Sequence, residues 1–274
     1  MKTLAVINQK GGVGKTTVSI NLSACLALQQ KRTLLVDVDP QGHCATGLAV
    51  KDDEVERSIF DIMRAADGEF TFRDIIWQIS ENFDLAPATI RLAAFEQEMA
   101  GVDGRENVLA SRLAQLDGKY DFVVIDCPPG VGTLTFNALK ACDAVIIPVE
   151  TGFFSLHGLG KLLETLDVMR SQCGKQIEFH VLANQYDVRT RLAREILVEL
   201  KRHFTDRLLK TTVNFNTKLK EAPQHKKTIF EYAPTSNGAR DYLRLVEWVI
   251  QRTTQRPAAG ASRWVQGSRP ASHR

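Results

Sequence analysis

Lys10-Gly11-Gly12-Val13-Gly14-Lys15-Thr16-Thr17 is the stretch on which the reading of this chain turns. An apolar run, Leu4 to Asn8, leads into it, and a helical pattern, Thr16 to Leu28, leads out. Strand, glycine loop and amphipathic helix in that order make a phosphate-binding unit. The glycines let backbone N–H groups turn inward around phosphate oxygens, and the helix N-terminus adds its partial positive charge. Gly11, Gly12, Val13, Gly14, Lys15, Thr16 and Thr17 are therefore the candidate cradle. At this spacing Lys15 reaches the β- and γ-phosphates of ATP, and the Thr16 hydroxyl is placed to ligate Mg²⁺.

Outward from the loop, the alternation of strand and helix continues. Thr33 to Asp37, Phe83 to Pro87, Phe122 to Asp126, Ala144 to Val149 and Glu178 to Asn184 read as further buried strands. Between and after them lie helical patterns: Leu92 to Leu116, Leu134 to Ala141, Leu156 to Ser171, Arg191 to Phe204 and Ala239 to Arg252. The expected fold is α/β, a doubly wound, mostly parallel sheet flanked by helices. In such sheets ligands bind beyond the carboxyl ends of the strands. Residues 1–252 read as one domain. Residues 253–274, with Pro257, Gly260, Gly267, Pro270 and a lone Trp264, read as a flexible tail.

The 274 residues, 44% hydrophobic and 24% charged, suffice for one large α/β domain with a buried core. No apolar run approaches the roughly 18 residues of a membrane span. The apolar start, Met1 to Ile7, is too short for a signal peptide, so a cytosolic protein is expected. Cys25, Cys44, Cys127, Cys142 and Cys173 form no metal-binding spacing and read as small buried thiols. Net charge is +3, and four tail arginines carry +4 of it, leaving −1 for the rest. Within that remainder, Arg189 to Lys227 holds eleven Lys or Arg against four Asp or Glu, a local +7. Charge concentrated in this way suits a polyanion.

Lys10 is a second lysine that an ordinary phosphate loop does not require. With it come Asp37-Val38-Asp39-Pro40-Gln41-Gly42, Tyr120 through Pro129, Ile147-Pro148-Val149 and Leu219-Lys220-Glu221-Ala222-Pro223. In these blocks, over roughly residues 2 to 250, the chain resembles the ParA/MinD family of deviant-Walker P-loop ATPases, most of all the ParA/Soj-type partition ATPases. The resemblance implies an ATP-dependent homodimer in which Lys10 crosses to the partner's ATP. It implies that Asp39 orients the attacking water and that Asp126 holds Mg²⁺ through water. Asn184 matches an adenine-contacting position, although an Asn at a strand end is also a common turn residue. Asp37 either orients the loop or caps the next helix.

Several outputs accompany that apparatus. Arg189, Lys218 and Lys220 match basic positions that bind non-specific DNA in the partition branch, with the nucleoid as the implied location and a ParB-like protein or cargo adaptor as the implied stimulator of hydrolysis. A MinD-like membrane positioner needs a C-terminal amphipathic helix, which Gln266 to Arg274 does not supply, so no stable membrane anchor is expected. An iron-protein role needs cysteines in glycine-rich surroundings, which Cys127 and Cys142 lack. Positioning of non-DNA cargo stays open, because Gly152 and Phe215 depart from the partition pattern. A start directly at the first strand leaves no room for a helix-turn-helix, so operator binding is not expected.

Overall fold

In the computed structural model, residues 1–66, 69–152, 168, 171 and 177–254 are described. Seven strands form one sheet: β1 Lys2–Val6, β2 Thr33–Asp37, β3 Trp77–Ser80, β4 Phe83–Ala86, β5 Phe122–Asp126, β6 Ala144–Glu150 and β7 Glu178–Asn184. Their order is β3-β4-β2-β5-β1-β6-β7, and every pairing is parallel except β3 with β4. Described helices are α1 Lys15–Leu28, α2 His43–Gly47, α3 Ile59–Arg64, α4 Leu92–Glu98, α5 Val108–Ala114, α6 Thr133–Ala141, α7 Arg191–Phe204, α8 Thr217–Glu221, α9 Ile229–Tyr232 and α10 Asn237–Thr254.

Alternation along the strands divides the core in two. Leu4 and Val6 of β1, Leu35 of β2 and Val124 of β5 face α1 and α10, packing on Val18, Leu22, Tyr242 and Val246. Ala5, Val36, Val123 and Ile125 point the other way, onto Ile59, Phe95, Leu109, Leu134 and Ile196 of α3 to α7. Both faces of the sheet are thus covered, which is why β2 and β5 are buried from end to end and apolar up to their terminal aspartates, apart from Thr33. The first strand lies in the middle of the sheet, between β5 and β6. The order of connection reverses around it, and the crevice at such a reversal opens at the carboxyl ends of the strands.

Three expectations need correcting. The helix expected over Leu92 to Leu116 is broken: α4 ends at Glu98 and α5 starts at Val108. Gly101 and Gly104, at φ +77° and +76°, sit between them in the left-handed region that an α-helix cannot contain. The helix α1 is not amphipathic, since eleven of its fourteen residues are buried. It is a central helix packed from several sides, and periodicity fades in such helices. The edge strand β3 is absent from the sequence reading. Its Trp77 and Ile79 are half-buried while Gln78 and Ser80 are exposed, the pattern of a strand covered on one face. The expected helix over Leu156 to Ser171 lies outside the described residues except for 168 and 171, as do Cys173 and residues 255–274. The four described cysteines, Cys25, Cys44, Cys127 and Cys142, are buried thiols.

Candidate nucleotide site

The loop after β1 is held in place by side chains from the sheet. Asn8 Nδ2 donates to the Pro148 carbonyl at 2.8 Å, and Asn8 Oδ1 accepts from the Lys10 amide at 3.0 Å. From the end of β7, Asn184 Nδ2 donates to the Val13 carbonyl at 2.7 Å, and Gln185 Nε2 donates to the Gly12 carbonyl at 2.8 Å. The last two bonds tie carbonyls of the loop to the sheet edge. Gly12 and Gly14 have φ of +76° and +85°, where a side chain is strained. At Gly14 a Cβ would also lie 2.7 Å from Asn184 Nδ2. Gly14→Ala is accordingly expected to shift Asn184 and weaken ATP binding by about tenfold or more, since the left-handed conformation alone costs about 1–2 kcal/mol. Isothermal titration with ATP and Mg²⁺ reads the loss; wild-type affinity in the variant would show that the loop tolerates a side chain there.

The helix α1 begins at Lys15, and its first turn meets the end of β5. Thr16 Oγ1 donates to Asp126 Oδ2 at 2.7 Å, and Ser19 Oγ donates to Asp126 Oδ1 at 2.8 Å. Asp126 is fully buried; burial raises its pKa, and the bonds from Thr16, Ser19 and Cys44 oppose the rise. Asp37, also fully buried, is raised well above the ordinary value by desolvation and the neighbouring Asp126 charge. Both roles weighed for Asp37 are present in its contacts. Its Oδ1 accepts from the Asp39 amide at 2.9 Å, bracing the loop. Its Oδ2 accepts from the Cys44 amide at 3.1 Å, in the first turn of α2.

Asp39 is 6% exposed and accepts the Gln41 amide at 3.0 Å, so it shapes its own turn while remaining in the crevice. Its charge reaches both Lys15 and Asp126. Burial lowers the Lys15 pKa, and the charges of Asp126, Asp39 and Cys127 work against that. Lys15 Nζ donates to the Lys10 carbonyl at 3.3 Å. Lys10 Nζ forms an ion pair of 2.6 Å with Glu150 at the end of β6.

The donor set fits Mg²⁺. Thr16 and Asp126 offer oxygens in contact with one another at the mouth of the loop, and hard divalent cations take oxygen ligands. Asp37, Cys44 and Asp126 also bring ligand atoms within 4.8 Å of one another. Burial and the carboxylates push the Cys44 thiol well up, so it stays neutral and donates to Asp126 Oδ2 at 3.4 Å. Bound there, Mg²⁺ supplies neutralisation of phosphate charge.

Lys10, Lys15, Thr16, Asp39, Asp126 and Asn184 therefore converge on one crevice. Asn184 is 2% exposed, and its amide nitrogen is committed to the loop, so in this structure it is a loop-positioning residue. Four contributors are missing from the sequence reading: Asn8, Ser19, Glu150 and Gln185. Ser19 is legible in principle, one helical turn after Lys15. The others are set by tertiary pairing of β1, β6 and β7, which local sequence does not encode.

The basic residues Arg189, Lys218 and Lys220 lie on the segments that follow β7. A bridge between Tyr186 and Asn214 lays the Arg189 turn beside the segment leading into α8. Arg189 forks onto Asp187 at 2.8 and 2.7 Å, and this contact holds the Asp187 carboxyl down to about 2. Lys218 pairs with Glu221 at 2.9 Å, and Lys220 Nζ lies 4.6 Å from the centre of the Phe215 ring. Arg189 and Lys218 are thus each paired with a carboxylate of the chain, and the segment keeps its net positive surplus.

Known proteins resemble this chain in sequence and fold. An AAA domain family (AAA_31) matches residues 1–179. The sporulation initiation inhibitor protein Soj of Bacillus subtilis is 43% identical over 250 residues, covering 90% of this chain and 98% of that protein. The chain belongs to the Soj/ParA family. The chromosome-partitioning ATPase Soj of Thermus thermophilus is 39% identical over 256 residues, covering 93% of this chain and 98% of that protein. Among solved structures, cobyrinic acid a,c-diamide synthase from Mycobacterium smegmatis, with bound ATP analog and magnesium, superposes with a TM-score of 0.78 at 30% identity. That match covers 93% of this chain and 96% of the other. As a member of the Soj/ParA family the chain is an ATPase. Among the described residues no helix is long and apolar enough to cross a membrane.

Proposed function

We propose that residues 1–252 form an ATP- and Mg²⁺-dependent switch that dimerises around ATP, binds DNA without sequence preference, and partitions chromosomal or plasmid DNA. The observation that carries the reading is the single crevice formed by Gly11 to Thr17, Asp39 and Asp126, with a second lysine, Lys10, at its rim. Phosphoryl transfer needs positioning and charge compensation more than covalent help from the protein. Lys15 meets the phosphates; the Thr16 hydroxyl would ligate Mg²⁺, and Asp126 would hold it through water. Asp39 orients the attacking water, and Lys10 adds a charge from the opposite subunit. A charge supplied in trans makes hydrolysis depend on dimerisation.

The DNA surface in this reading is the edge carrying Arg189, Lys218 and Lys220. The Arg189–Asp187 and Lys218–Glu221 pairs are solvated, and such ion pairs are weak enough for DNA phosphates to replace them. Two subunits together present the edge twice, which raises affinity through avidity. A ParB-like or cargo-bound partner accelerates hydrolysis and releases the protein from the nucleoid as monomers.

The test is binding to random-sequence duplex DNA with ATP, with ADP and without nucleotide, across a salt series. Binding that needs ATP and weakens steeply with salt is expected. Equal binding in all three states, or none in any, overturns the switch.

A further inference from the structure

Both lysines of the phosphate loop rest on acceptors of the same chain. Lys15 donates to the Lys10 carbonyl at 3.3 Å, and the Lys10 ammonium contacts Glu150 Oε2 at 2.6 Å. Glu150 is the last residue of β6 and lies in register with Asn184, the residue that holds the Val13 carbonyl. The contact thus spans from the loop to the same sheet edge that fixes the loop through Asn184. Gly152 lies directly against the Glu150 side chain: a Cβ there would sit 3.4 Å from Oε1, 3.5 Å from Cδ and 3.8 Å from Cγ. These are ordinary van der Waals distances, so position 152 packs beside the Glu150 carboxylate without constraining it. Gly152 is one of the positions at which this chain departs from the partition pattern.

We infer that Glu150 is a counter-ion in cis that competes with a second subunit for Lys10, so that the nucleotide-free protein is biased toward the monomer. The inference rests on the reading of Lys10 as the lysine that reaches the partner's ATP. In this structure the Lys10 ammonium is held at 2.6 Å by Glu150 of its own chain. In the inferred dimer it leaves that carboxylate for the partner's phosphates. The side chains of Lys10 and Glu150 are 42% and 34% exposed, so the contact is solvated and easily exchanged. That suits a bias rather than a lock. Nucleotide phosphates, carrying several negative charges, attract the ammonium more strongly than a single carboxylate once ATP occupies both loops. Glu150 is in this sense a positioning residue, acting on chemistry through Lys10.

Sedimentation velocity of the full chain with saturating ATP and Mg²⁺, over a series of protein concentrations, reads the midpoint of dimerisation. Glu150→Gln keeps the shape and removes the charge, and its midpoint is expected to fall about two- to fivefold, as the removal of one exposed ion pair predicts. Glu150→Asp, with a shorter arm, is expected to lie between wild type and Glu150→Gln. Lys10→Ala is expected to abolish the dimer, with or without Glu150→Gln. ADP affinity and melting temperature check that each variant is folded. An unchanged or higher midpoint for Glu150→Gln, while Lys10→Ala abolishes dimerisation, overturns the latch and leaves the role of Lys10 standing. Wild-type dimerisation by Lys10→Ala overturns the underlying reading itself. A shift from Glu150→Gln that persists in the Lys10→Ala background also overturns the latch, because Glu150 then acts on the surface charge and not on Lys10.

Discussion

Lys15→Ala is expected to abolish useful ATP binding. Lys15 is 8% exposed and stands between the loop carbonyls and the carboxylates of Asp126 and Asp39, with no neighbouring cation on the same turn of α1 able to replace it. Hydrogen bonds to charged groups contribute about 1.5–3 kcal/mol each. A lysine that touches two phosphates therefore accounts for about 3–6 kcal/mol, or roughly a 10²- to 10⁴-fold change in affinity. Titration with a fluorescent ATP analogue measures it directly. Micromolar affinity in the variant would mean that the loop does not bind the phosphates through this residue. The fold should survive the change, because the Lys15 ammonium donates to a single loop carbonyl, that of Lys10, at 3.3 Å.

Arg189→Glu combined with Lys218→Glu has the second large effect, and it separates two properties. Both side chains are exposed, 77% and 48%, and both pair with carboxylates outside the phosphate loop. ATP binding and ATP-driven dimerisation are expected to be unchanged. DNA affinity is expected to fall on the order of 10²-fold or more, and the salt dependence to become shallower by about one unit for each phosphate that is no longer neutralised. Gel-shift titrations at several salt concentrations give both numbers. Unchanged DNA affinity would make this edge a solvated basic surface, with Arg189 committed to Asp187 and Lys218 to Glu221. The existing pairs sharpen the choice of Glu over Ala. A reversal also repels Asp187 and Glu221, so no residual cation can be offered at either place.

The sheet and the loop are readable because their signals are local. Val36 and Asp37, or Ile125 and Asp126, end runs of branched apolar residues in a carboxylate, and burial from both faces leaves no alternation to interpret. The single helix expected over Leu92 to Leu116 fails because apolar spacing continues across Gly101 and Gly104, and only the backbone shows that both glycines turn left-handed. Within the site, Lys15, Thr16 and Asp126 follow from the order strand, loop, helix, strand. The partners of Asn184 and Lys10 do not. Asn184 reads as a residue facing a base, yet its amide reaches back 171 positions to Val13. Lys10 meets Glu150 across 140 positions. Such contacts are set by which strands lie side by side, and β1 between β5 and β6 is a fact of topology rather than of any short window.

That central place of β1 has a consequence for synthesis on the ribosome. The first strand to emerge cannot be flanked until β5 arrives, as the pairing of Lys2 with Phe122 requires. At about 5–20 residues per second the chain waits on the order of ten seconds with its phosphate loop attached to an unpaired strand. The last fastenings of that loop, from Asn184 and Gln185, come later still. A nascent chain of this protein therefore gains its ability to hold a nucleotide late, when most of the sheet has already been made.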